Sequence, residues 1–138
     1  MTDRENFWGG WRERLTALAD HADPEVRIQS ARALGGFPHR ESVAALKRMA
    51  TDDGWAVRAQ AVRSLGMIAD VSTLPLLKSA LRDDVWWVRL RAALALMRFA
   101  APGRNALLEA EVGGDPVARA MAQMVLGLPA QALAEFAA

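Results

Sequence analysis

The apolar and small residues of this chain follow a pattern that returns every 31 residues. Each period contains a valine followed by an arginine, with one leucine seven positions after the arginine and another twelve positions before it. Because self-similarity at a period of about 20 to 50 residues is the signature of stacked repeats, the pattern predicts a repeat protein of four units. The pairs are Val26-Arg27, Val57-Arg58, Val88-Arg89 and, one residue early and with alanine first, Ala118-Arg119. The leucines are Leu34, Leu65, Leu96 and Leu126, and Leu15, Leu46, Leu77 and Leu107.

Spacing inside each period predicts two helices separated by a turn. Val57, Ala61, Leu65 and Ile68 stand three or four positions apart, which gives one apolar face to a helix. No segment alternates with period two and carries β-branched residues, so strands are not expected. The predicted helices are 8–20, 24–35, 40–51, 55–68, 72–82, 86–100, 103–112 and 116–127, with a short tail helix at 130–137.

Capping residues support these boundaries. Asp-Pro at 23–24 and at 115–116 places a capping acid before a proline at the first helical position, where the missing amide costs nothing. Gly35, Gly66 and Gly127 follow the last leucine of their periods, so they are expected to end the second helices in a left-handed conformation.

These elements predict an all-α fold, an α-solenoid or superhelix of four helical hairpins with a short C-terminal helix. One hairpin cannot cover its own apolar face, whereas stacked hairpins share a continuous core. We expect a single domain over 1–138, with repeats at about 8–36, 39–68, 70–100 and 102–128 and a tail at 129–138.

The stretch Asp-Pro-Glu-Val-Arg-x-x-Ser-Ala-x-Ala-Leu-Gly from Asp23 to Gly35 resembles the bacterial HEAT-like repeat first associated with phycobilin lyases. The likeness recurs at 57–66, 88–96 and 118–127, so it covers most of the chain. The resemblance implies a HEAT-like solenoid. That repeat occurs in lyase subunits, scaffolds, regulatory domains and extensions of enzymes, so it does not by itself imply one function.

Composition and charge narrow the functional classes. The chain has 138 residues, 52% of them hydrophobic and 24% charged, which is typical of folded proteins. The net charge is only +1, so the chain lacks the strongly basic surface that nucleic-acid binding requires, and nucleic acid is not the expected partner. No stretch reaches the roughly 20 apolar residues that a membrane span needs, so membrane insertion is not expected. The polar, acid-bearing N-terminus and the absence of cysteine fit a cytoplasmic protein.

The arginine of each repeat is expected to be structural. In similar repeats this arginine pairs with the acid at the start of a neighbouring second helix, which would link successive units in a ladder. The alternative is a stripe of arginines that binds phosphates. The four arginines are Arg27, Arg58, Arg89 and Arg119, and the expected acids are Asp23, Asp53, Asp84 and Asp115.

The second helices normally line the concave face of a solenoid, and helical projection places Trp87 on that face. Exposed tryptophan beside arginine is enriched at protein interfaces, so this surface is the predicted site for another protein or a peptide. Whether Trp55 and Trp86 are packing or contact residues stays open. The predicted partner-binding residues are Trp87, Arg91, Arg63, Arg98, Leu94, Met121 and Met124.

The apolar C-terminal surface around Met121 and Met124 needs a cover, because the terminal repeat of a solenoid should be polar. Folding back of the tail is the first candidate, with Leu133 and Phe136 on one face of its helix. Self-association through the same surface is the second, since flexible methionines suit adaptable interfaces.

Candidate catalytic groups are few. His21 and His39 lie near predicted helix ends, and the paired acids at 52–53 and 83–84 are at capping positions. There is no glycine-rich phosphate loop, metal-spaced histidine pair or nucleophile elbow, so no enzyme, cofactor or metal site is predicted. The sequence favours a protein-binding scaffold or regulatory module. Nucleic-acid binding by helical repeats, and a chromophore lyase or chaperone-type subunit, remain as alternatives.

Overall fold

The structure is a computed structural model that describes residues 3–137, with side chains from 10 to 136. The first two residues and Ala138 of the predicted domain lie outside this range. Within it the chain forms nine α-helices and one 3₁₀ turn, with no strand. The helices are α1 (Asp3–Leu18), α2 (Pro24–Leu34), α3 (Arg40–Met49), α4 (Trp55–Ile68), α5 (Leu74–Ala80), α6 (Trp86–Met97), α7 (Ala101–Glu111), α8 (Pro116–Leu126) and α9 (Ala130–Ala137), and the 3₁₀ turn is Val71–Thr73.

The first eight helices form four consecutive pairs. Each odd-numbered helix packs against the even-numbered helix that follows it, and the even-numbered helices also stack on one another, α2 on α4, α4 on α6 and α6 on α8. Contacts of this kind between neighbouring units are those of a helical repeat stack. The predicted all-α solenoid is therefore confirmed.

The leucine columns of the sequence form the centre of the stack. Leu34, Leu65 and Leu96 are fully buried in the second helices, and so are Leu46, Leu77 and Leu107 in the first helices. Leu15 and Leu126, at the two ends of the columns, are only partly buried. An end unit has one neighbour instead of two, so its outward side remains uncovered.

The glycines of the repeat do not end helices in a left-handed conformation, so that expectation was wrong. Gly35 and Gly127 have φ of −61° and −86°, Gly66 lies inside α4, and no described glycine has a positive φ. Gly35 and Gly66 instead allow close helix packing. A Cβ at Gly35 would lie 2.7 Å from Ser64 Oγ, and one at Gly66 would lie 2.6 Å from Ala95 Cβ.

A short connection between α6 and α7 accounts for the one-residue loss of period before the fourth repeat. The helix predicted to reach residue 100 ends at Met97, and Ala100 adopts φ 54° and ψ −127° before α7. A Cβ at Gly103 would overlap the carbonyl oxygen of Leu96, so only glycine lets α7 begin this close to α6. The residue loss is therefore absorbed by a sharp turn at the start of the last hairpin.

Leu65→Ala should lower the free energy of unfolding by about 2 to 5 kcal/mol, because Leu65 is fully buried between repeats and its removal leaves a cavity. Chemical denaturation followed by circular dichroism measures the change. Met67→Ala is the matched control, since Met67 is on the same helix and about half exposed. Equal stability of the two variants would contradict the proposed packing of the core.

Candidate functional site

Two arginines join successive repeats through bidentate ion pairs. Arg27 Nε donates to Asp52 Oδ2 at 2.9 Å and its Nη2 donates to Oδ1 at 3.2 Å. Arg58 holds Asp83 in the same way, at 2.9 and 3.1 Å. The planar guanidinium matches the carboxylate at both oxygens, so each pair fixes orientation as well as distance. We call each of these links a rung.

The acids of the rungs are not those expected from the sequence. Asp52 and Asp83 form them, each one residue before the expected Asp53 and Asp84. The same carboxylates accept the amides of Gly54 and Val85, both at a distance of two residues, and so also order the turn before the next helix. Each acid therefore caps its own repeat while it binds the arginine of the repeat before.

The other expected acids, Asp23 and Asp115, also act as helix caps and not as rung partners. Asp23 accepts the amide of Glu25, and Asp115 accepts those of Val117 and Ala118. The two histidines behave in a similar way. His21 Nδ1 accepts the amide of Asp23, and His39 Nδ1 accepts that of Glu41 at the start of α3.

The rung shifts the pKa of its groups in opposite directions. Burial by itself would raise the pKa of Asp52, but the hydrogen bonds from Arg27 and from the Gly54 amide outweigh it, so this pKa is lowered. The hydrogen bond to Asp52 raises the pKa of Arg27. Both groups are thus held in their charged forms.

The remaining two arginines of the column form no rung within the described part of the chain. Arg89 Nη1 donates to the carbonyl oxygens of Asp83 and Asp84 at 2.7 and 3.2 Å. Arg119 Nη1 donates to the Gly113 carbonyl oxygen at 3.4 Å. The ladder therefore has two rungs and stops after the third repeat.

A first cleft of about 290 Å³ lies between α2, α4 and α6. Trp87 is 51% exposed, and Trp55 on the preceding repeat is 47% exposed. Trp86 contacts Trp87 edge to face, with ring centroids 4.9 Å apart. All three tryptophans are about half exposed, so neither Trp55 nor Trp86 is buried in the core. Arg32, Arg63 and Arg91 complete the charged part of this cleft.

Arg91 is the most constrained cation of this surface. Burial lowers its pKa, and the nearby positive charge of Arg63 lowers it further. An arginine nevertheless stays charged, because its ordinary pKa lies far above neutral pH. Because Arg63 and Arg91 are both positively charged, an anionic group of a partner would bind favourably beside them.

The tail helix α9 packs against α6 and closes a second cleft of about 340 Å³. Leu133 and Phe136 line it from the tail, opposite Leu94, and Arg91 Nη1 donates to the Phe136 carbonyl oxygen at 3.3 Å. Arg63 and Arg98 also line this cleft. The tail folds back onto α6, and Met124, one of the two methionines for which a cover was expected, remains 36% exposed.

The predicted partner residues therefore divide into three groups. Trp87 lines the first cleft, Leu94 and Arg98 line the second, and Arg63 and Arg91 line both. Met124 lies apart, in a third cleft with Trp86. Met121 lines this third cleft too, but it is only 3% exposed and lies mostly in the core, so its role in binding or self-association stays a prediction.

Two other kinds of site are absent from the described residues. No group of three or more histidine, cysteine or acidic side chains is arranged to hold a metal ion. No described helix is both long enough and apolar enough to cross a membrane.

Stacked helical hairpins linked by arginine–aspartate rungs define an α-solenoid of short repeats. A family model of HEAT repeats matches residues 12–97, more than half of the chain, and the chain belongs to the HEAT-repeat family. The resemblance read from the repeat motif is thus confirmed.

Comparison with solved structures gives a similar protein. It is a chain in the complex of CpcE and CpcF of phycocyanin lyase from Nostoc sp. PCC7120, with 26% sequence identity and a TM-score of 0.61. The match covers 76% of this chain and 47% of that one, so this chain spans about half the length of its structural relative. Comparison with curated proteins gives no significant match.

Asp52→Asn should lower the free energy of unfolding at neutral pH by about 1 to 3 kcal/mol, because Arg27 then loses a charged acceptor. The folded-state pKa of Asp52 is lowered, so its contribution is complete above the unfolded-state pKa of about 3.9 and is lost as pH falls through the folded value. Urea denaturation of both proteins from pH 7 to pH 2 should therefore show a difference that shrinks below about pH 4.

Asp53→Asn is the control for this measurement, because Asp53 is adjacent, exposed and outside the rung. If Asp53→Asn lowered the free energy of unfolding as much as Asp52→Asn does, Asp53 would be the acid of the rung, as the sequence analysis expected.

Proposed function

We propose that this chain is a protein-binding scaffold or regulatory module without catalytic activity of its own. Its binding surface is the first cleft, with Trp87 as the apolar anchor and Arg63 and Arg91 as the charged contacts. The single observation that carries the proposal is the half-exposed Trp87 in the same cleft as Arg63 and Arg91. The relative of known structure, a complex of two proteins, supports a role in protein association.

Exposed aromatic side chains favour a protein partner for this surface. Trp87 and Trp55 leave large apolar rings in contact with water, where burial by a partner would be favourable. The Trp87 ring loses little conformational entropy on binding, because its edge-to-face contact with Trp86 already restricts it. These are properties of an interface anchor.

Charge in the same cleft favours an acidic partner segment. Arg32, Arg63 and Arg91 all line it. Guanidinium groups bind carboxylates with two parallel hydrogen bonds, and those of this chain already do so at two rungs. The partner would thus combine acidic residues with an apolar or aromatic one.

The tail supports the same preference. The Phe136 carbonyl oxygen in the last turn of α9 accepts a hydrogen bond from Arg91, and the C-terminal end of a helix carries partial negative charge. Leu133 and Phe136 add apolar contacts beside this end. The segment that the second cleft holds within the chain is therefore apolar with a negative end, as the proposed partner is.

Trp87→Ala should weaken binding of acidic peptides by at least about tenfold, which is about 1.4 kcal/mol, because it removes the apolar anchor. Peptides selected from a display library against the parent chain supply the ligand, and calorimetry measures the dissociation constant. Arg91→Ala should weaken the same peptides and reduce the salt dependence of binding.

Val71→Ala is the matched control, since Val71 is exposed in the 3₁₀ turn and lines none of the three clefts. The proposal requires that all three variants unfold close to the parent temperature. Selected peptides that bind Trp87→Ala as tightly as the parent, or unfolding of that variant, would reassign Trp87 to packing.

A second candidate function is a subunit of a chromophore lyase or a chaperone for such an enzyme. The observation that favours it is 26% identity to a chain of the phycocyanin lyase complex. This candidate requires a saturable change in bilin absorbance when the chromophore of phycocyanin is titrated with the chain. The scaffold proposed above predicts no such change, and a saturable change sensitive to Trp87→Ala would favour the lyase.

A further inference from the structure

Arg89 makes the hydrogen bonds to backbone carbonyl groups that the rung arginine Arg58 makes, but it makes no bond to a carboxylate. Its Nη1 donates to the Asp83 and Asp84 carbonyl oxygens, as Nη1 of Arg58 donates to those of Asp52 and Asp53. In the part of the chain with described side chains, no carboxylate oxygen lies within 4.0 Å of the Arg89 guanidinium. The guanidinium is therefore held in place while its Nε and Nη2 edge, the edge that binds aspartate elsewhere, carries no carboxylate.

The missing acid is explained by one position of the fourth repeat. The arginine of each unit donates to the carbonyl group six residues before it, which is Asp52 for Arg58, Asp83 for Arg89 and Gly113 for Arg119. Gly113 thus occupies the column that holds the rung aspartates in the second and third repeats. Without a side chain it cannot complete the rung.

The space beside Arg89 is a third cleft of about 420 Å³. Trp86, Val117 and Met124 line it, and each of these side chains is at least 36% exposed. Arg89 is the single cation among its lining residues. The positive charge of Arg89 therefore borders a cleft whose other lining residues are apolar.

We propose that this cleft is a binding site for an aspartate side chain of a partner polypeptide, which completes the open rung on Arg89. The site rests on the proposed role of the chain as a protein-binding module, and it adds a contact outside the Trp87 cleft. The two closed rungs define the ligand chemistry, because the same guanidinium edge binds Asp52 and Asp83 with two hydrogen bonds each.

The lining of the cleft selects among anions. A single arginine balances the single charge of a carboxylate, whereas it would leave part of the charge of a phosphate group unbalanced. Trp86, Val117 and Met124 give a partner residue next to the aspartate an apolar surface to bury. A peptide should consequently bind better than a free carboxylate.

The test uses the blocked peptide acetyl-Leu-Asp-Leu-amide, titrated into the full chain and followed by the NMR signals of Arg89 Nε–Hε and the Trp86 indole N–H. Both signals should shift along one saturable curve. Acetyl-Leu-Asn-Leu-amide and acetate should each bind at least about tenfold more weakly, because one lacks the charge and the other the apolar contacts.

Gly113→Asp is the decisive variant, because its new carboxylate should occupy the rung. No positive φ prevents the substitution, and a Cβ at Gly113 would lie 3.2 Å from the Glu109 carbonyl oxygen, so the end of α7 must shift by a few tenths of an ångström. The variant should raise the unfolding temperature and abolish the peptide-induced shifts. Gly114→Asp is the matched control, since a Cβ there has open space and the charge lies one residue away from the rung, so peptide binding should persist.

Equal binding of the Asp and Asn peptides, or unchanged binding by Gly113→Asp, would overturn the site. If Gly113→Asp fails to fold, Arg89→Gln provides the same test, because it removes the guanidinium group that the aspartate of the partner would bind. Shifts confined to Trp87 and Arg91 would reject this site and leave the first cleft intact as the binding surface. Absence of shifts at both clefts would count against both proposals.

Discussion

Close approach of the second helices is the constraint on which the rest of this structure depends. Gly35 faces Ser64 and Gly66 faces Ala95 at distances that leave no room for a further carbon atom. Ser64 Oγ even donates to the Ala31 carbonyl oxygen of the preceding second helix, at 2.7 Å. Helices this close place the leucine columns in one continuous core, and they leave side chains beside the contact line facing outward in a single row.

The arginine–aspartate rungs act on the edge of this stack, where the turns meet. A partly buried ion pair contributes little net stability, because desolvation opposes the attraction of the charges. Its bidentate geometry instead restricts how one turn sits on the next. Since Asp52 also caps the turn before α4, each rung joins the start of one helix to the arginine of the preceding unit. The interruption at Gly113 releases the last repeat from that restriction and leaves one arginine prepared for a ligand.

The exposed side chains of the second helices form the surface of this fold that is available to bind a partner. Core positions must be apolar or small, so variation between repeats accumulates at outward positions such as Trp87, Arg63 and Arg91. Burial and the nearby charge of Arg63 lower the pKa of Arg91, so the positive charge of Arg91 is disfavoured there. Within the chain, the Phe136 carbonyl oxygen at the end of α9 accepts a hydrogen bond from Arg91. Recognition of acidic segments would extend to a partner the interaction that already organises the chain.

The sequence by itself determined the class of fold. Period, leucine columns and capping residues are local signals, and a solenoid is built from contacts between neighbours in sequence, so the helices and the buried Leu34, Leu65 and Leu96 followed directly. The exposure of Trp87 was equally readable, because its column points away from the leucines in any stack of this type.

Only the tertiary structure decided features that depend on where the stack ends and on one-residue differences in a turn. Met121 occupies the column of Arg91 yet is only 3% exposed, which the period of the sequence does not predict. The rung acid could not be chosen between Asp52 and Asp53, since both stand in one turn and only the direction of the side chain separates them. The tail had two apolar surfaces within its reach, and its position on α6 was settled by contacts that no periodicity encodes.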